Sequence, residues 1–261
     1  MNSQPQSQIA KVTVRGLTMA YGPMVVMRDL NFEIKDREIF VIIGASGCGK
    51  STLLRHMIGL QEPTQGSILY DGKDFTGTDP SDRSAFIHSF GVMYQSGALW
   101  SSLTLGENIS MPMEETGKVP ASTLRELVAY KLSLVGLSGY EDYYPSQISG
   151  GMKKRAGIAR AMALDPDILF LDEPGAGLDP LSSRRFDDLI LRLRESQRST
   201  IIIVTHELAS IFNIADRALF LDIATHTQGA LGNPCHLRDH SENPAVRLFL
   251  NRGETIVPPP P

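Results

Sequence analysis

The segment Ile39-Phe40-Val41-Ile42-Ile43 is an unbroken apolar run rich in β-branched residues. It leads directly into Gly44-Ala45-Ser46-Gly47-Cys48-Gly49-Lys50-Ser51, and Thr52-Leu53-Leu54-Arg55-His56-Met57-Ile58 follows with helical composition. Such a run reads as a strand buried on both faces of a parallel sheet. Strand, glycine loop and helix in that order make a βα unit. The octet fits G-x-x-x-x-G-K-S/T, a loop that cradles phosphate. Its glycines let backbone N–H groups converge on phosphate oxygens with no Cβ in the way. The helix N-terminus adds a partial positive charge at the same place. The expected ligand is a nucleoside triphosphate with Mg²⁺. Lys50 is expected to reach the β- and γ-phosphates and Ser51 to ligate the metal.

The chain has 261 residues, room for one large domain or a core with a subdomain. A net charge of −4 argues against a broad nucleic-acid-binding face. Cys48 and Cys235 are the two cysteines, and a disulfide at Cys48 would jam the phosphate loop, so reduced thiols are expected. Cys48 precedes a helix, a position that favours thiolate. Residues 1–10 are expected to be disordered. They lack an apolar signal core, and no run of about 18 apolar residues occurs anywhere. A membrane role would therefore have to come through a partner.

Short strand-like stretches stand near Lys11–Arg15 and Asn31–Ile34, with Tyr21-Gly22-Pro23 as a turn between them. Ser67–Tyr70 reads as an edge strand ending in the Asp71-Gly72 turn. Phe90–Tyr94 reads as a strand leading into Gln95. From about 96 to 163 the pattern is mostly helical, including Ser122–Leu132 behind a Ser122 N-cap. Apolar strands return at Ile168–Leu171 and Ile201–Thr205, with a charged helix near Ser182–Glu195 between them. This alternation predicts an α/β core with a parallel sheet and a helical insert.

The strand Ile168–Leu171 ends in Asp172-Glu173. Asp172 can hold Mg²⁺ beside Ser51, while Glu173, one residue on, turns to another side and can polarise an attacking water. Ser149-Gly150-Gly151-Met152 opens a second helix with an exposed N-terminus, a second anion site. One triphosphate rarely needs two such sites on one chain, and a dimer would supply the second across its interface.

With these motifs in this order, residues from about 11 to 238 resemble the nucleotide-binding subunit of an ATP-binding cassette transporter. Ile148-Ser149-Gly150-Gly151-Met152 stands where that family's Leu-Ser-Gly-Gly-Gln signature is usual. The resemblance implies an α/β P-loop NTPase core with a parallel sheet, an N-terminal antiparallel β subdomain and an inserted α-helical subdomain. The ATPase domain would span 11–240, with the helical part at about 96–163. Tyr21 is placed like the aromatic that stacks on adenine. Gln95 is placed like the glutamine that senses Mg²⁺ and the γ-phosphate. Asp179 of Gly177-Leu178-Asp179 is placed like the dimer-crossing loop, and His206 like the histidine contacting the γ-phosphate.

The implied catalytic set is Glu173, His206, Gln95 and Lys50. The implied nucleotide contacts are Tyr21, Gly44–Thr52, Ser149, Gly150, Gly151 and Asp179. The implied metal ligands are Ser51, Gln95 and Asp172. Plainer readings stay open: Tyr21 as a packed turn aromatic, Gln95 and His206 as strand-end residues, and Asp179 as a helix N-cap.

Met152 in place of the signature glutamine resembles the ATPase of phospholipid-trafficking (Mla/MCE-type) transporters, as do Gln95–Leu99 and Asn243–Leu250. That likeness implies ATP and Mg²⁺ as cofactors, and a homodimer with two composite ATP sites. It also implies a separate membrane permease, a small regulatory subunit and an MCE substrate-binding protein, and no nucleic acid. The place of work would be the cytoplasmic face of a bacterial inner membrane. Residues 241–261 would be an extension that docks on a neighbouring subunit or packs as a helix on its own domain. A transporter ATPase for another cargo, and a non-transport ATPase of the superfamily, are the alternatives.

Overall fold

The computed structural model describes residues 10–251 apart from Ser96 and Lys118. Of residues 1–10, read as disordered, 1–9 lie outside the described residues, as does the chain beyond Asn251.

The described strands form two sheets. The first, in the order β2-β1-β4-β5, is antiparallel and holds β1 (Val12–Tyr21), β2 (Met24–Ile34), β4 (Gln65–Tyr70) and the two-residue β5 (Lys73–Asp74). The second has the order β10-β9-β3-β8-β7-β6. Its members are β3 (Ile39–Gly44), β6 (Phe90–Met93), β7 (Ile168–Asp172), β8 (Thr200–Val204), β9 (Arg217–Asp222) and β10 (Thr227–Gly232). It is parallel except for β10, which runs antiparallel to β9 at the edge.

β3 sits inside that sheet, and all six of its residues are buried. Its pleat feeds two cores. Ile39, Val41 and Ile43 join one face, packed by most of the helices, and Phe40 and Ile42 join the other. On that second face α1 (Lys50–Met57) buries Leu53, Leu54 and Met57 between the two sheets. The continuous apolar run is therefore explained by burial on both faces. The short α2 (Ser84–Ile87) follows β5 in the chain.

Between β6 and β7 the chain forms α3 (Leu105–Thr116), α4 (Ala121–Leu134) and α5 (Gly150–Ala161). A capping box starts α3: Thr104 Oγ1 accepts from Glu107 N at 3.2 Å, and Thr104 N donates to Glu107 Oε2 at 2.7 Å. The remaining helices are α6 (Pro180–Gln197), α7 (Leu208–Ile214), α8 (Pro234–His240) and α9 (Pro244–Leu250). The parallel core, the antiparallel N-terminal sheet and the helical insert agree with the architecture read from the sequence.

Several local expectations need correcting. β1 and β2 are long strands joined through Gly22-Pro23, not two short ones. Register shifts between Val14 and Ala20 break their alternation, one of them at Gly16, which takes φ +55°. The strand after Gln65 is interior to its sheet, because β5 covers its edge. Ser122 lies inside α4; Pro120 is the N-cap and makes no side-chain cap bond. The helix between β7 and β8 begins at Pro180, earlier than Ser182, because Asp179 caps it.

Candidate functional site

Open α/β sheets bind ligands beyond the carboxyl ends of their parallel strands. Here β3 ends at Gly44, β7 at Asp172, β8 at Val204 and β6 at Met93. The loop after β3 is shaped by its glycines. A Cβ on Gly44 (φ +148°) would lie 2.6 Å from the Leu221 carbonyl oxygen, and one on Gly49 (φ +99°) 2.7 Å from Val26. Gly49 caps α1 in the left-handed region, so the loop's N–H groups turn with the helix N-terminus behind them. The Lys50 ammonium is held by the carbonyls of Gly44 and Ala45, each at 3.0 Å, and lies over the loop.

One groove of about 580 Å³ gathers Tyr21, Gly44–Gly47, Gly49–Thr52, Gln95, Glu173 and His206. Ser51 Oγ donates to Asp172 Oδ1 at 3.2 Å, which joins the loop to the end of β7. Burial holds the Asp172 carboxyl above the usual carboxylate range; Ser51 opposes this, neighbouring Glu173 adds to it, and Arg55 and Lys50 oppose it.

Glu173 adopts φ +48°, rare for a residue with a Cβ, while its N–H is tied to the Val204 carbonyl at 2.8 Å. Its Oε1 shares a 2.8 Å hydrogen bond with His206 Nδ1, and its buried Oε2 has no hydrogen-bond partner among the described residues. The Tyr21 hydroxyl reaches Gln61 Oε1 at 3.3 Å and Thr52 Oγ1 at 3.5 Å, and the ring is 43 % exposed at the mouth of the groove.

The other expected site residues do not lie here. Ser149, Gly150, Gly151 and Asp179 line a separate groove of about 740 Å³ between α5 and α6. Ser149 caps α5, its Oγ accepting from Met152 N at 3.3 Å. Asp179 caps α6 through Leu181 N at 3.1 Å and Ser182 N at 3.0 Å, so the plain N-cap reading of Asp179 is realised. Lys154 bridges the two sides by donating to the Ala176 carbonyl.

Cys48 is a correction. Its thiol is 1 % exposed and faces inward behind Gly44, whose notional Cβ would lie 2.7 Å from the sulfur. Burial pushes the thiol pKa up, outweighing nearby Lys50 and the backbone N–H groups at the helix start, so the position does not yield a thiolate here. The Cys48 side chain takes no part in the groove.

Residues 27–176 match the ABC transporter family. The chain belongs to that family. It is 38 % identical over 247 residues to the probable ribonucleotide transport ATP-binding protein mkl of Mycobacterium leprae, covering 95 % of this chain and 70 % of that protein. It is 39 % identical over 210 residues to the intermembrane phospholipid transport system ATP-binding protein MlaF of Haemophilus influenzae, covering 80 % of each. A solved dimeric ATP-binding cassette in a post-hydrolysis state, bound to ADP and Pi, superposes with a TM-score of 0.77 at 26 % identity, over 85 % of this chain and 98 % of that one.

The chain is thus an ABC ATPase that binds and hydrolyses ATP. No helix among its described residues is long and apolar enough to cross a membrane. The structure of this ABC ATPase also adds groove residues that its motifs do not announce. Met24 and Val26 enter from β2, next to Tyr21 across a two-residue turn, and Phe249 enters from α9. Proximity to Tyr21 was a usable signal for the first two. Phe249 carried none, since it lies in no motif, far along the chain from the phosphate loop, and meets the groove only through tertiary packing.

Proposed function

We propose that this chain is the ATP-hydrolysing subunit of a transporter that moves phospholipid through a separate membrane permease. Two copies would sandwich two ATP molecules. The ATP-hydrolysing part of this reading is carried by one observation: Glu173 is anchored through one oxygen to His206, and its other oxygen is buried beside the phosphate loop with no partner among the described residues. A carboxylate so held can take a proton from an attacking water. Lys50 and the loop N–H groups would stabilise charge spreading over the γ-phosphoryl oxygens. Tyr21 would stack on the base.

The donor set suits Mg²⁺, since a hydroxyl and a carboxylate already meet at Ser51 and Asp172. Those two residues with Gln95 would hold the ion, which supplies neutralising charge at the β- and γ-phosphate oxygens. Ser149, Gly150, Gly151 and Asp179 of a second copy would complete each site, which accords with their lying in a different groove. The chain itself would sit on the cytoplasmic face of a bacterial inner membrane, held by its permease.

Met152, packed against the core rather than presenting an amide, and the likeness to MlaF both favour a lipid cargo. The likeness to mkl keeps a ribonucleotide cargo as the second reading. Isolation of the native complex and mass spectrometry of its bound small molecules tests the choice. Co-purified phospholipid with a membrane permease and an MCE protein is the expected result. A permease carrying nucleotide and no lipid would overturn the lipid reading while leaving the ATPase intact.

A further inference from the structure

We propose that the C-terminal helix α9 is a wall of the nucleotide site and that Phe249 is a nucleotide-affinity residue. The inference rests on the nucleotide assignment of the octet made above.

α9 is fastened in cis. Its Val246 is 0 % and Leu250 2 % exposed, both in the core on the helical face of the parallel sheet. Its N-cap, Asn243, accepts from Ala245 N at 2.9 Å and donates through Nδ2 to Asp222 Oδ2 at 3.3 Å. Gly229 leaves room for that amide, since a Cβ there would lie 2.9 Å from it. So the helix is pinned to the β9–β10 hairpin at one end and sealed by apolar contacts along its inner side.

β9 then links α9 to the phosphate loop. Phe249 packs edge-on against Phe220, with ring centroids 5.5 Å apart at 66°. The next residue of β9, Leu221, places its carbonyl oxygen where a Cβ on Gly44 would be only 2.6 Å away. Leu221 and Gly44 are register partners in the parallel pair of β9 and β3. The rest of the half-buried Phe249 ring faces the groove of the octet and lines a second hollow with Ala45. The octet thus has packing behind it with no slack, and an apolar ring on its open side.

An apolar wall beside a phosphate site excludes water. Water exclusion strengthens the attraction between the Lys50 ammonium and a bound phosphate, because screening falls. Removing the ring should admit water and weaken binding. Leu248, on the same helix and 51 % exposed, lines only the second hollow and not the octet's groove, so it serves as the control.

The test is calorimetric titration of the full chain with Mg-ADP, which involves no turnover. Phe249→Ala is expected to raise Kd by about 3- to 10-fold, and Phe249→Leu by less, while Leu248→Ala stays within about twofold. As a second readout on the wild type, amide exchange at residues 245–250 is expected to slow when ADP binds. A Phe249→Ala Kd equal to wild type, or α9 exchange indifferent to ADP, would overturn the proposal. The second readout decides the matter if the alanine variant does not fold. Wild-type protein that binds no ADP would instead overturn the nucleotide assignment itself.

Discussion

His206 Nδ1 lies 2.8 Å from Glu173 Oε1, and this contact fixes which carboxylate oxygen is left for chemistry. The free oxygen is Oε2, buried and without a partner among the described residues. Glu173→Gln keeps the shape and removes the base. Turnover should fall by about 10²- to 10⁴-fold while the ATP dissociation constant changes little. Phosphate release and equilibrium nucleotide binding measure the two quantities separately. Near-normal hydrolysis by this variant would remove Glu173 from the role of base.

Asp172 gives a stability prediction with a definite sign. Its folded-state pKa is raised, first by burial, so the charged form is disfavoured in the folded protein. Below the unfolded value both states are protonated. As pH rises from there through the raised value, the folded state holds a proton that the unfolded state releases, and stability falls. At neutral pH the full loss remains. Asp172→Asn should therefore raise the Tm of the nucleotide-free protein by about 2 °C at pH 7 and lose Mg²⁺-dependent turnover. The gain should shrink as pH is lowered through that window. A lowered Tm at pH 7 would contradict the burial argument.

Cys48 and Cys235 should differ in reactivity. Cys48 is buried with a raised pKa, whereas Cys235 is exposed. Brief treatment of native protein with a maleimide at pH 7, followed by peptide mass spectrometry, should label Cys235 at least about tenfold faster. Equal rates would mean that the phosphate loop opens readily.

Gly157 of α5 touches Gly97 of the loop after Gln95 backbone to backbone. A Cβ on Gly157 would sit 2.9 Å from Gly97 Cα and 3.0 Å from its carbonyl oxygen. Gly→Ala inside a helix gains about 1 kcal/mol of propensity, but overpacking against backbone costs about 1–3 kcal/mol, so the clash should win. Gly157→Ala should lower stability in denaturant and reduce turnover by displacing the Gln95 loop, with ADP affinity within about twofold of wild type. Unchanged turnover would show that the loop is not seated through this contact.

Much of the fold and the groove is legible in the chain because the strongest signals are local. β3, β7 and β8 are continuous apolar runs, and each hands its carboxyl end to a polar motif: Gly44–Ser51, Asp172-Glu173, Thr205-His206. Position along the chain is enough to bring those residues to one edge of the sheet. Signals that depend on packing are not legible. The bulges between β1 and β2 disrupt the alternation that would show their length. β9 and β10 escape the reading although β9 lies against β3. Cys48 looks reactive by position and is inert by burial, a fact that only the approach of Gly44 and Leu221 reveals. Phe249 reaches the groove through Phe220, a contact with no trace in either residue's neighbours.

The two grooves, one holding the phosphate loop and Glu173 and the other holding Ser149–Gly151, have a kinetic consequence. If each triphosphate needs both, hydrolysis by the free chain in dilute solution is second order in protein. Dilution then acts as an off switch. A permease that holds two copies side by side would replace that dependence with a fixed local concentration, on the order of millimolar for short tethers. The membrane partner would in this way set the motor's idle speed before any cargo arrives.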